Sequence, residues 1–148
     1  MSGAREQESV QLGFERARLA AELGKWATAL ALLRSCVHMQ TDRPEMLGLY
    51  GYCLARLGQQ LEEARDACQR AVDAQPWVAE HHAHLGFVYH TAGLAQRARR
   101  SYDAALVLDP EHELARTGRD ALAAREGTSR LRAWLRRTRR CAAQPPSA

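Results

Sequence analysis

Residues 79–112 read AEHHAHLGFVYHTAGLAQRARRSYDAALVLDPEH. Leu85, Gly86 and Tyr89 lead to Gly93, and Ala98, Tyr102, Ala105 and Pro110 follow. The preceding stretch, 44–78, has the same order in Tyr50, Gly51, Leu54, Gly58, Ala64, Cys68, Ala71 and Pro76. A third, more eroded copy spans 10–43, with Arg16, Ala17, Ala20, Gly24, Ala29, Leu33 and Cys36. A fixed period of about 34 residues marks an array of like supersecondary units, each burying its apolar face against its neighbours. Gly24, Gly58 and Gly93 each end a helical pattern, as expected of a left-handed cap. The next helical pattern starts within a few residues, so the helices of each pair run antiparallel. Ala17, Gly51 and Gly86 fall on first helices, and Ala29, Ala64 and Ala98 on second helices. Small residues there let the paired helices approach closely. Pro44, Pro76 and Pro110 punctuate the units, because a proline stops a helix at the residue before it.

These residues resemble the tetratricopeptide repeat, a helix–turn–helix unit of about 34 residues. The copy at 79–112 fits the family signature at eight positions, with His82 where the family often has Trp. The copy at 44–78 carries one extra turn residue in Gly58-Gln59-Gln60-Leu61 and has Leu54 in place of the family Tyr. The copy at 10–43 has Gly13 at the Trp position and Arg16 at the Leu position. The resemblance covers residues 10–112. It implies an all-α, right-handed solenoid of antiparallel helix pairs and is nearly silent on function, since function is not set by fold.

The expected organisation is a flexible lead-in at 1–9, repeats at 10–43, 44–78 and 79–112, a capping helix at 113–126 and a basic tail at 127–148. Leu114, Gly118 and Leu122 recur at spacing four, as in a helix that covers the apolar face of a last repeat. The 148 residues are 46% apolar but only 6% aromatic, which suits a thin core of Ala and Leu. No run approaches the roughly 18 apolar residues of a membrane span, and the polar stretch Met1 to Gln11 is not patterned as a signal peptide. Cys36, Cys53, Cys68 and Cys141 lack metal-like spacing. The first three read as buried small side chains in a reducing, cytoplasmic setting, with Cys141 exposed in the tail.

Charge divides the chain. Residues 1–126 hold 15 basic and 17 acidic groups, whereas 127–148 hold six Arg and no acid. Gly127-Thr128-Ser129 reads as a helix break, with Ser129 able to cap a new helix. In that helix Leu131, Trp134, Leu135 and Thr138 share a side. Arg130, Arg132, Arg136, Arg137, Arg139 and Arg140 occupy the rest, and the Pro-containing end, Gln144 to Ala148, reads as disordered. Three readings stay open for the tail. Its apolar side folds back on the array; it lies on an anionic membrane surface, peripheral to the bilayer; or it meets an acidic protein or nucleic acid without sequence specificity.

The family resemblance implies a concave groove, lined by first helices, that holds a partner peptide or helix. Transferred by register, the groove residues are Phe14, Arg18 and Glu22, then Tyr52 and Arg56, then Phe87, His90 and Thr91. Tyr52 and Phe87 share a register and are expected to form an apolar strip with Arg18 and Arg56 beside it. Such a strip favours a segment with apolar anchors and an acidic group. Some members of the family clamp the acidic tails of heat-shock chaperones. The corresponding places here hold Phe14, Arg18, Glu80 and His84, of which only Arg18 suits, so the resemblance argues against that role. His81 and His84, three apart, make a weak metal pair without a further ligand. They read as solvated, with His82 part-buried and His90 a groove residue that titrates near neutrality. No phosphate loop, nucleotide fingerprint or nucleophile–base motif is present. The expectation is therefore a non-enzymatic adaptor or scaffold that needs no metal or cofactor and takes another protein as partner. A small secretion chaperone, and a nucleic-acid or membrane accessory protein working through the tail, are the alternatives.

Overall fold

The structure, a computed structural model, describes residues 2–39 and 43–142, with side chains from 3 to 37 and from 43 to 137. Among the described residues there are seven helices and no strand. They are α1 (Ser2–Glu22), α2 (Trp26–Met39), α3 (Pro44–Arg56), α4 (Leu61–Ala74), α5 (Ala79–Thr91), α6 (Ala95–Leu108) and α7 (Glu113–Ala142). Helices α1/α2, α3/α4 and α5/α6 pack as antiparallel pairs, each pair packs on the next, and α7 packs on α5 and α6. The architecture is a right-handed all-α solenoid.

The turns follow from backbone chemistry. Gly24, Gly58 and Gly93 sit at φ of 72°, 65° and 77°, where a side chain is strained. Each closes its helix with a paired cap. Gly24 N–H donates to Ala21 O while Lys25 N–H donates to Ala20 O; Gly58 and Gln59 donate to Ala55 and Leu54, and Gly93 and Leu94 to His90 and Tyr89. This double bond pattern satisfies carbonyls that a helix end leaves orphaned. The extra residue of the second turn is absorbed by Gln60, which takes a left-handed conformation at φ 42°.

Between the paired helices, space is set by residues without side chains. A Cβ on Gly51 of α3 would lie 2.5 Å from the Ala64 carbonyl oxygen and from Cys68 Sγ of α4. One on Gly86 of α5 would lie 2.6 Å from the Tyr102 ring of α6, and one on Gly118 of α7 would meet that ring from its other side. Tyr102 is fully buried between these two glycines. In the eroded first pair, Gly13 plays this part: its Cβ would lie 2.8 Å from Cys36 Sγ. Cys36, Cys53 and Cys68 are all buried free thiols, and burial pushes the Cys53 thiol up to about 11. The Cys141 side chain, and the chain end at 143–148, lie outside the described residues.

Three expectations need correction. Residues 2–9, expected as a flexible lead-in, are the first turns of α1, and Val10 behind them is buried against Cys36 and Met46. The break expected at Gly127 is absent, since α7 runs unbroken to Ala142. The Thr128 and Ser129 hydroxyls donate back to the Arg125 carbonyl instead of capping a new helix. Finally, His81 and His84 are buried rather than solvated, because α5 is covered by α3, α4, α6 and α7. His81 Nε2 lies 2.9 Å from Gln75 Oε1, and both Nδ1 atoms face Gly48 of α3, with no hydrogen-bond partner. Part-buried His82 reads correctly, with its Nε2 2.8 Å from the Pro76 carbonyl.

Two stability predictions follow from this packing. Gly86→Ala gains helix propensity, about 0.8–1 kcal/mol, but its methyl meets a ring held on both sides. The clash prevails, and denaturant unfolding is expected to show a loss of about 1–3 kcal/mol. Gly127→Ala, with nothing within 4 Å of its Cβ, should be neutral or stabilising by up to about 1 kcal/mol. The second prediction concerns pH. Burial, with His81 and His112 nearby, pushes the His84 imidazole down to about 3. Glu80 Oε1 is 3.7 Å away, but that carboxylate is 64% exposed, so solvent screens it. Below pH about 6.5 the unfolded chain takes up a proton that the folded chain refuses, so stability is full above that pH and falls as pH is lowered. Between pH 7.5 and 5 the loss from His84 is about 2 kcal/mol. His84→Phe should flatten the urea-midpoint profile over that window; an unchanged slope would contradict the assignment.

Candidate functional site

The first helices α1, α3 and α5 place side chains along one surface of the array. Next to Gly51 and Gly86, which must face their partner helices, Tyr52 and Phe87 are turned onto this surface, both partly buried. Their rings meet edge to face, with centroids 5.0 Å apart. Tyr52 also stacks on His84 at 4.5 Å and meets the edge of Trp26 at 5.4 Å. Trp26 is the first residue of α2. The Gly24 turn delivers it beside the end of α1, so a residue of a second helix joins a surface otherwise built from first helices.

Arg56, in the last turn of α3, lies over this aromatic group. Its Cζ is 4.5 Å from the Trp26 ring centroid, 5.4 Å from that of Phe87 and 6.0 Å from that of Tyr52. The quadrupoles of the three rings attract the guanidinium, each contact contributing about 0.5–1 kcal/mol when exposed. The rings fix where the charge sits.

Beside this group lies an open hollow of about 460 Å³, lined by Arg18, Ala21, Glu22, Trp26, Leu49, Tyr52, Glu80 and His84. Ala21, Leu49, Trp26 and Tyr52 supply apolar walls. Arg18 and Glu22 form an exposed pair at 3.6 Å on the rim. His84, uncharged at neutral pH, closes the floor. Burial raises the Tyr52 phenol above its usual range, so it too is neutral.

Of the sequence-predicted groove residues, Tyr52, Arg56 and Phe87 converge and Arg18 stands at the edge of the same hollow. Phe14 packs on Val10, Cys36 and Met46 and lines an adjoining hollow of about 360 Å³ with Arg18 and Glu22. His90 faces α7 in a separate cleft of about 230 Å³ with Gly93, Leu122 and Arg125. Burial and the Arg125 charge lower its titration below the usual imidazole range. Trp26 and Leu49 are members of the site that register transfer did not supply, whereas His84 stands at one of the clamp positions transferred by register. The signal for Trp26 was its place directly after the Gly24 turn. In the tail, Arg130, Arg132, Trp134, Arg136 and Arg137 are exposed, while the side chains of Arg139 and Arg140 lie outside the described residues. Leu131, Trp134 and Leu135 are 57%, 59% and 40% exposed. Among the described residues no group of three or more His, Cys, Asp or Glu side chains is placed to hold a metal. None of the described helices is long and apolar enough to cross a membrane.

No family model matches the chain, and no curated protein matches it significantly. Solved structures do. The Arabidopsis OM64 TPR domain superposes with a TM-score of 0.69 at 15% identity, over 81% of this chain and 98% of that one. An O-GlcNAc transferase of Thermobaculum terrenum gives 0.72 at 24% identity, over 80% of this chain and 22% of that longer one. The first TPR of Spaghetti (RPAP3), solved with the HSP90 peptide SRMEEVD, gives 0.67 at 15% identity, over 81% and 94%. With its three glycine-turned helix pairs and closing helix, the chain has the tetratricopeptide-repeat fold.

Proposed function

We propose that the chain is a non-enzymatic adaptor that holds a segment of another protein on the surface formed by α1, α3 and α5. The observation that carries this reading is Arg56 seated over Trp26, Tyr52 and Phe87 beside the 460 Å³ hollow. Desolvated aromatic and arginine side chains in a shallow groove are the usual anchors of protein recognition. The hollow takes one apolar side chain of the partner between Trp26, Leu49 and Tyr52, and Arg56 takes a carboxylate nearby. Peptide binding by the Spaghetti domain of the same fold supports a peptide occupant. The chemistry of its acidic-tail ligand does not transfer. Glu80 is an anion, and His84 is a buried neutral ring, where a clamp for such tails needs cations.

The test is selection from a random peptide display library on the full chain. Enriched peptides should share a large apolar residue with Asp or Glu close by. Tyr52→Ala combined with Phe87→Ala should weaken their binding at least about tenfold, the loss of more than 1.4 kcal/mol expected of anchor residues. Far-ultraviolet dichroism should be unchanged, and removal of residues 128–148 should leave binding intact. Equal binding by the double variant, or enrichment that vanishes only with the tail, would overturn the groove reading.

A further inference from the structure

The charge on the groove surface has a direction. Tyr52 stacks on His84 at 4.5 Å, so α3 and α5 are level at these two residues. Both are first helices and run the same way. Arg56 lies one turn beyond Tyr52, toward the C-terminal ends, where the Phe87 ring of α5 is 5.4 Å from its Cζ. Glu80 lies one turn before His84, toward the N-terminal ends, with its Oε1 3.7 Å from His84 Nε2. At 5.4 Å of rise per turn, the cation and the anion stand about 11 Å apart along the helix axes, on opposite sides of the Tyr52 ring. The phenol feels both: burial raises its titration most, Arg56 lowers it and Glu80 raises it.

At the Glu80 end, acids outnumber cations. The charged side chains that line the 460 Å³ hollow are Arg18, Glu22 and Glu80, and the adjoining 360 Å³ hollow, which shares Arg18 and Glu22, adds Glu15. Three carboxylates thus accompany one guanidinium. Arg18 is paired with Glu22 at 3.6 Å, both side chains exposed, and an exposed pair of this kind contributes little. Glu22 is the last residue of α1, where the helix dipole disfavours an anion. Glu80 is exposed, and the imidazole beside it, His84, is uncharged at neutral pH.

Resting on the peptide-holding reading of this surface, we propose that the segment it holds is amphoteric: a Lys or Arg of the partner enters the hollow toward Glu80 and Glu22, on the far side of the apolar anchor from the carboxylate that meets Arg56. The long stem of such a side chain packs on the walls that Leu49 and Tyr52 supply, while its charged head stays at the wet rim with the carboxylates. An extended segment rises about 3.3 Å per residue, so the separation of about 11 Å between Arg56 and Glu80 corresponds to about three residues from acid to base, with the apolar anchor between them. A polyacidic segment satisfies Arg56 and is repelled at Glu80 and Glu22. A polybasic one is repelled at Arg56.

Peptides enriched from a random display library on the full chain should carry Lys or Arg about three residues from Asp or Glu, with the large apolar residue between them. Fluorescence anisotropy on a synthetic copy of such a peptide should show Glu80→Gln weakening binding about 1.5–5-fold, as for loss of an exposed ion pair, and Glu80→Arg weakening it further. A second copy, with its Lys or Arg changed to Glu, should invert the order and bind Glu80→Arg more tightly than the wild-type chain. Glu80 is exposed in the first turn of α5, so far-ultraviolet dichroism should be unchanged in both variants. Should Glu80→Arg misfold, Glu80→Gln still reads the effect, because it should narrow the preference for the first peptide over the second. Peptides that enrich an apolar residue and an acid but no base, and that are weakened by Tyr52→Ala with Phe87→Ala, would overturn the amphoteric ligand and leave the peptide groove standing. Binding untouched by that double variant would overturn both. Equal preference between the two peptides in the wild-type chain and in the Glu80 variants would also overturn the proposal.

Discussion

Close approach of the helices depends on positions that carry no side chain. Gly51 lies against the backbone of α4, and Gly86 and Gly118 hold the Tyr102 ring from two sides. At each of these places a single methyl group has nowhere to go, so pairing and rotation of the helices are fixed together. Rotation is the consequence that matters for function. Once Gly51 and Gly86 face their partner helices, the next residue in each case, Tyr52 or Phe87, is turned about 100° away, onto the open surface. A packing constraint thereby places the aromatic surface, and the same constraint in two successive units sets their rings edge to face.

The electrostatics of that surface follow from burial. His84 lies on the floor of the hollow and stays uncharged, because no exposed acid repays the cost of charging it inside. Tyr52 stacks on a neutral ring. The one cation held over the aromatic group is Arg56, whose guanidinium cannot be neutralised. The surface combines flat apolar walls with a guanidinium seated over the rings, and Arg18 stands on its rim paired with Glu22.

Much of the fold was legible because its signals are local. Gly24, Gly58 and Gly93 mark left-handed turns whatever surrounds them, and the small residues recur in step with those turns. Tyr52, Arg56 and Phe87 were legible as a group because they share the register of a first helix. The misreadings come from contacts that a linear register does not contain. Trp26 joins the surface through the turn, not through helix periodicity. His81 and His84 look like surface imidazoles until α5 is seen to be covered on several sides. Gly127-Thr128-Ser129 has the composition of a break. Yet one glycine costs a helix only about 1 kcal/mol, and two hydroxyls that bond back to the Arg125 carbonyl let the helix continue.

The claim that the glycine-set rotation gathers Trp26, Tyr52, Phe87 and Arg56 into one surface is tested most directly by nuclear Overhauser contacts among their side chains in solution. The account predicts cross-peaks from the Tyr52 ring to both the Trp26 indole and the Phe87 ring. It also predicts ring-current upfield shifts of the Arg56 methylene protons that disappear in Trp26→Ala. A Tyr52 ring without contacts to Phe87, together with Arg56 protons at ordinary shifts, would contradict it.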